Sequence, residues 1–177
     1  GIPVSTSGIA FGGNPVVATA ETWDNSSWTE VGDLNTGRMY LGGFGSATSA
    51  IAGNGVNPGA SPGYTQNVVE KWDGSSWSEV GSMNTARGEM YGGQGTSNDG
   101  GIIAGGAPNA TTVVANVEEW NGSSWTEVGD LGTAGRMGGQ VGSITSGMYA
   151  GGQRPDDNVT NVEEWTVSGA TKTLSVS

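Results

Sequence analysis

The chain has 177 residues, 17 acidic against 6 basic side chains for a formal charge of −11, 34 glycines and 7 tryptophans, and neither histidine nor cysteine. Such an acidic surface repels phosphate backbones and anionic bilayers, so no nucleic acid and no membrane partner is expected, and without imidazole or thiol there is no Ser-His-Asp or Cys-His catalysis, no disulfide and no thiolate metal centre. Disordered glycine-rich linkers lack tryptophan because they have nothing to bury, so the glycines read as turn and close-packing positions of one ordered all-β domain.

Four repeats follow in chain order, at approximately 1–35, 36–84, 85–132 and 133–177, and their leading tryptophans Trp23, Trp72, Trp120 and Trp165 stand 49, 48 and 45 residues apart. In the first repeat only Gly1 to Ser5 is left for an innermost strand, before a second strand over Thr6 to Gly13. That start has no charged or apolar signal-peptide region and reads as processed or excised. Trp23 and Trp28 then flank Asp24-Asn25-Ser26-Ser27. In the second repeat an apolar run from Ile51 to Gly55 precedes a long loop, and Trp72 and Trp77 flank Asp73-Gly74-Ser75-Ser76. The third has Ile102 to Gly106, with Trp120 and Trp125 around Asn121-Gly122-Ser123-Ser124. Asp-Gly and Asn-Gly between β-formers predict hairpins, because glycine tolerates the positive φ of such turns. Each hairpin leads into a segment ending in arginine: Asn35-Thr36-Gly37-Arg38, Asn84-Thr85-Ala86-Arg87 and Gly132-Thr133-Ala134-Gly135-Arg136, the last reading as the same segment with one inserted residue. The fourth repeat runs from Met148–Gly152 through Trp165 to an outermost strand over Ala170–Ser177.

About four short strands at this period predict a β-propeller of four blades, mostly of four antiparallel strands; a β-helix or an open sandwich matches the repeat length less well. Trp23, Trp28, Trp72, Trp77, Trp120, Trp125 and Trp165 are the expected inter-blade core, and closure would rest on face packing of the fourth blade against the first.

An apolar strand, Gly-Gly, a variable loop, an acidic-aromatic strand, a turn, Trp and a later Arg is a pattern that resembles the kelch, or galactose-oxidase-like, blade over nearly the whole chain. The wording Glu118-Glu119-Trp120-Asn121-Gly122-Ser123-Ser124-Trp125, with a tail ending Lys172-Thr173-Leu174-Ser175-Val176-Ser177, is similar to kelch-type repeats in predicted tail-associated or structural proteins of marine bacteriophages. The resemblance implies a non-enzymatic binding or adhesion module, extracellular or virion-associated, that contacts a cell-surface glycan or protein. The alternatives are a structural or decoration protein that contacts other virion subunits or itself, and an engineered or amplified propeller with no natural ligand. Kelch propellers usually have more than four blades, which leaves open a four-bladed ring, part of a longer chain, or an assembly of chains. The copper oxidases of this fold use a cysteine-linked tyrosine and histidine ligands, which this sequence lacks, and no cofactor is expected.

Counting outward from the turns puts Glu21 opposite Glu30, Glu70 opposite Glu79 and Glu118 opposite Glu127. Like charges so placed repel, and Arg38, Arg87 and Arg136 each follow one such hairpin; in the fourth blade Lys172 counts to a place opposite Glu163. These residues are expected to form structural ion clusters at the blade interfaces, the alternative being repeated Ca²⁺ sites on the glutamate pairs. Acids recurring blade by blade do not single out a hydrolytic pair, and Gly42-Gly43, Gly92-Gly93 and Gly138-Gly139 lack the Lys-Ser/Thr ending of a phosphate loop. The sequons at Asn25, Asn109, Asn121 and Asn158 read as turn chemistry. Binding is expected on the variable loops, where Asn57, Tyr64, Gln66, Asn109, Thr111, Arg154, Asp156 and Asp157 offer the amide, aromatic, hydroxyl and charged groups that suit a sugar.

Overall fold

A computed structural model of the protein describes residues 7–59, 64–158, 160–168 and 171–176. They form four antiparallel sheets, one per repeat. The first holds β1 (Gly8–Phe11), β2 (Ala20–Trp23) and β3 (Trp28–Val31). The second holds β4 (Gly42–Ser46), β5 (Ser49–Gly53), β6 (Val69–Trp72) and β7 (Trp77–Val80), and the third β8 (Gln94–Ser97), β9 (Gly100–Ala104), β10 (Val117–Trp120) and β11 (Trp125–Val128). β12 (Gly139–Ser143), β13 (Ser146–Ala150), β14 (Val162–Ser168) and β15 (Thr171–Val176) make the fourth. The innermost strand expected over Gly1 to Ser5 lies outside the described residues.

Alternation along the strands gives each sheet two unlike faces. In the second sheet one face carries Ala50, Ala52, Glu70, Trp72 and Trp77, and the other Phe44, Ile51 and Val69. The tryptophan face packs on Ile9 and Phe11 of the first sheet, with the Phe11 and Trp77 ring centroids 5.1 Å apart. The opposite face, through Phe44 and Ile51, meets Ile103, Trp120 and Trp125 of the third sheet. Ile102 and Val117 of the third sheet then meet Tyr149 and Trp165 of the fourth. Burial between sheets is therefore directional: a tryptophan face always seats on the aliphatic or phenylalanine face of the sheet before it. In the last three sheets the leading indole is pinned by a hydrogen bond to its own inner turn, Trp72 Nε1 to Ala47 O at 2.9 Å, Trp120 Nε1 to Asn98 O at 2.8 Å and Trp165 Nε1 to Ile144 O at 2.9 Å.

The inter-sheet contacts run first to second, second to third and third to fourth; no contact of similar extent joins the fourth sheet to the first among the described residues. The expected closure of blade four on blade one is not seen among the described residues. The fourth sheet also corrects a register. β14 and β15 pair with Ser168 opposite Thr171, so Trp165 faces Leu174, Glu163 faces Val176, and Lys172 faces Val167. The four-residue turn of the other hairpins is missing here, which moves every pair along the strands.

Glycine explains how the sheets approach so closely. A methyl group on Gly101 would collide with the Phe44 ring and stand 2.6 Å from Gln94 O. We expect Gly101→Ala to destabilise the fold by about 1–3 kcal/mol, the usual cost of overpacking, measured by urea denaturation. A midpoint equal to that of the parent would contradict this close approach.

Candidate functional site

Gly42, Gly53, Val69 and Val80 stand side by side in the second sheet, so the segments before β4, after β5, before β6 and after β7 all emerge at one end of it. The same holds in the other sheets. This end carries the arginine segments and the long loops; the opposite end carries the Asp/Asn-x-Ser-Ser turns. In those turns Asp24, Asp73 and Asn121 each accept from the next two backbone N–H groups but one and from a serine hydroxyl. The Ser26 hydroxyl first, then the Ser27 amide, holds Asp24 down at about 2; for Asp73 the Ser76 amide leads, also to about 2.

The glutamate pairs lie where the counting put them, Glu21 facing Glu30, Glu70 facing Glu79 and Glu118 facing Glu127. Their partners differ from expectation. Each arginine segment reaches the glutamate of the next blade, not of its own hairpin. Asn35 N and Nδ2 donate to Glu70 Oε2 at 2.7 and 2.8 Å, Thr36 N to Oε1 at 3.3 Å, and Arg38 Nη1 lies 3.2 Å from Oε1. Asn84 N and Nδ2 repeat this on Glu118 at 2.7 and 2.9 Å, with Arg87 Nη1 at 2.6 Å. All four charged side chains are fully buried, whereas Glu79 and Glu127 are exposed. Burial lowers the basicity of both guanidiniums; Glu70 and Glu79 oppose this for Arg38, and Glu118, Glu127 and Asp130 for Arg87. Proton donors thus surround Glu70 and Glu118, where the alternative reading put Ca²⁺, and no group of three or more potential metal ligands exists among the described residues.

The third junction is built differently, and the inserted residue is corrected. Gly13 N donates to Arg38 O, Gly55 N to Arg87 O and Gly106 N to Gly135 O, so Gly135 occupies the arginine place and Arg136 stands one step beyond. Arg136 Nη1 accordingly lies 2.7 Å from Glu89 Oε2, not at Glu163. Glu163 is held by the Gly132 and Thr133 amides at 2.7 and 2.9 Å. Beside it Tyr149 replaces the smaller Ala52 and Ile103 of the earlier blades, its ring filling a space where Gly138 admits no side chain. Burial, with the Glu163 charge adding to it, pushes the Tyr149 phenol up to about 12. Lys172 takes no place opposite Glu163; Glu21 and Glu30 are exposed, with no preceding blade among the described residues.

The loop residues separate into two groups. Gln66 is buried at 4% exposure, so its expected place among surface binding groups is corrected. Asn57 ties its loop to the segment that follows the first sheet, with Nδ2 donating to Gly37 O at 2.8 Å, and braces the loop itself with Oδ1 accepting from Gly59 N. Asn109 accepts from Thr111 N and Oγ1 and from Thr112 N, an exposed turn. Tyr64 is exposed, and its neighbour Thr65 donates to Pro108 O at 3.1 Å, which ties the second and third loops together. Arg154 Nε donates to Ala134 O at 3.0 Å, and Asp156 and Asp157 are exposed in the same loop.

Closer to the inner strands the structure adds residues that the sequence did not single out. A cleft of about 440 Å³ is lined by Asn14, Phe11, Tyr40, Leu41, Tyr91 and Gly92, among others. Asn14 Nδ2 donates to Tyr40 Oη at 3.2 Å, and the Tyr40 and Tyr91 rings are 6.3 Å apart. Burial, then Tyr40 and Glu89, raises the Tyr91 phenol above its usual value. Tyr40, Glu89 and Met137, each near the entry to an inner strand, hold φ of 54°, 58° and 60°, a conformation that costs a non-glycine residue of order 1–3 kcal/mol.

No family model matches the sequence, and no curated protein matches it. Among solved structures the chain is similar to YjhT, a β-propeller, with a TM-score of 0.72 and 18% identity over 89% of this chain and 52% of that one. It therefore spans about half the length of YjhT. At that identity the likeness concerns the fold, and the fold is an all-β propeller arrangement of four blades.

Arg87→Met is expected to destabilise the protein by about 3–5 kcal/mol, because Glu118 stays buried without its counter-charge. Arg136→Met, at a partly exposed pair, should cost less, and Arg87→Met/Glu118→Gln should recover part of the loss. Equal melting of Arg87→Met and the parent would sink the clamp. For Tyr149, the folded value near 12 lies above the ordinary phenol value near 10. Its contribution to stability is thus complete below pH 10 and is lost as pH rises through 12. A spectrophotometric titration should show a late phenolate component that Tyr149→Phe removes.

Proposed function

We propose that the protein is a non-enzymatic binding module that meets a glycan or protein surface with the loop end of its blades. The aromatic arrangement at that end carries the reading: Tyr40 and Tyr91 line a cleft of about 440 Å³ with the Asn14 amide beside them, and Tyr64 stands exposed on the longest loop. Sugar rings need an aromatic face for their C–H groups and amide or hydroxyl partners for their hydroxyls. Asn109, Thr111, Arg154, Asp156 and Asp157 extend that offer outward on the neighbouring loops. Recurrent carboxylates held by structural donors, and the lack of histidine and cysteine, support binding without turnover. The kelch-like pattern is consistent with a surface-recognition role of the kind seen in phage tail components. The second reading is a structural or decoration domain, favoured by the exposed sheet faces at the two ends of the series.

The test is a glycan array probed with the parent and with Tyr91→Ala and Tyr64→Ala. Binding of one glycan class, weakened at least tenfold by Tyr91→Ala without a change in melting, is the expected result. Consistent absence of binding on arrays and on cell-surface protein extracts would favour the structural role.

A further inference from the structure

The sequence contains two Asn-Gly pairs, Asn54-Gly55 and Asn121-Gly122, and the fold treats them in opposite ways. Glycine after asparagine leaves the side-chain carbonyl carbon open to the next backbone nitrogen, because no Cβ shields the approach. Asn54 is fully buried, its Nδ2 donates to Thr85 O at 2.9 Å, and Gly55 N donates to Arg87 O at 3.0 Å. Leaving group and nucleophile are both tied down there, and Asn54 Oδ1 accepts no hydrogen bond among the described residues. Asn121 instead lies exposed in the turn between β10 and β11. Its Oδ1 accepts from Ser123 N at 3.0 Å, Ser123 Oγ at 2.9 Å, Ser124 N at 2.9 Å and Ser124 Oγ at 3.4 Å. Neither Asn121 Nδ2 nor Gly122 N donates within that network.

We infer that Asn121 is a deamidation site of the folded protein, converted to aspartate by its own turn. Gly122 N loses its proton to solvent and attacks Asn121 Cγ, so negative charge gathers on Oδ1. Four donors already point at that atom, the arrangement that stabilises an oxyanion as it forms. The Cγ–Nδ2 bond then breaks, and the nitrogen leaves as ammonia with a proton from water. Water opens the resulting five-membered imide at its Cγ–N bond, which gives an α-linked aspartate at position 121. Opening at the other carbonyl gives isoaspartate, which lengthens the main chain inside the tight turn that sets Trp120 opposite Trp125. The turn favours the first product, because Asp24 and Asp73 hold the same place in the first two blades. Their carboxylates accept from the corresponding serine amides and hydroxyls at 2.7 to 2.9 Å, and ionised acceptors make the stronger bonds. Conversion gives the third turn the acid that the first two already carry. Asn109 supplies an internal comparison: Thr111 N, Thr111 Oγ1 and Thr112 N hold its Oδ1 at 3.0, 3.0 and 2.9 Å, but Ala110 follows it.

The test incubates the 177-residue protein at mildly alkaline pH and follows each asparagine by peptide mass mapping, with fragmentation that separates aspartate from isoaspartate. Folded Asn121 is expected to convert at least about tenfold faster than Asn54 and Asn109, chiefly to aspartate. In urea Asn54 should rise to the rate of Asn121, because the fold alone protects it. Ser123→Ala removes one donor and should slow conversion severalfold without moving the thermal midpoint, while Ser123→Thr keeps the hydroxyl and should keep the rate. Asn121→Asp, the finished product, should melt at or above the parent temperature. Conversion of folded Asn121 no faster than that of Asn54 or Asn109 overturns the inference. So does isoaspartate as the main product, an Asn54 that stays slow in urea, or a lower midpoint for Asn121→Asp. An unchanged rate in Ser123→Ala, or a rate in Ser123→Thr as slow as in Ser123→Ala, removes the turn from the chemistry and overturns it equally.

Discussion

A carboxylate taken out of water between two β-sheets, and held there by the chain leaving the previous sheet, is the constraint on which the architecture depends. Glu70 and Glu118 could not be buried bare, since an unpaired ion in a low-dielectric interior costs several kcal/mol. Backbone N–H groups of Asn35 and Asn84, their side-chain amides, and the guanidiniums of Arg38 and Arg87 meet that need. In doing so they fix the path of each connecting segment across the junction. The tryptophans supply most of the apolar area removed from water, but area alone is indifferent to rotation of one sheet on another. The clamp is what gives each wedge a single orientation, and with it the placement of every loop at the end of the blades that carries them.

The third junction shows that the constraint can be met in more than one way. Loss of arginine at Gly135 coincides with gain of bulk at Tyr149, whose ring occupies the space beside Glu163. Two backbone amides remain, which suggests that they, more than the guanidinium, are the invariant part of the clamp in this chain. Arg136, displaced by one position, finds Glu89 and joins the third and fourth blades near their inner strands instead.

Much of this was legible in the sequence, and the failures have physical reasons. Spacing of the tryptophans and the Asp/Asn-x-Ser-Ser turns determined the hairpin register, because a tight turn leaves no freedom in which residues face each other. That is why Glu118 opposite Glu127 could be read directly. The arginine partners could not, because within-strand counting carries no information on which sheet a connecting segment crosses. Lys172 was misplaced for a related reason: β14 and β15 continue past Trp165 before they turn, so the count began at the wrong residue. Gln66 looked like any polar loop residue, yet its backbone N–H pairs with Gly55 O and the loop folds its side chain inward. Tyr40 and Tyr91 gave no signal beyond their distance from the arginines, since the cleft arises only where two blades and the first loop converge.

Because every connecting segment clasps the sheet that follows it, the series has polarity, like a row of links each with a hook and an eye. The heritable unit is consequently staggered relative to the visible blade: a duplicated piece works only if it starts at a hook and carries the next eye with it. Duplication cut after a hook would separate the Gly135 type of hook from the Glu163 eye with its Tyr149, and leave two mismatched neighbours where one fitted pair had been. Enlargement or shrinkage of such a protein is thereby best served by breaks just ahead of a hook, between an outer strand and the donor segment that follows it, a constraint on gene segments imposed by the chemistry of a buried acid.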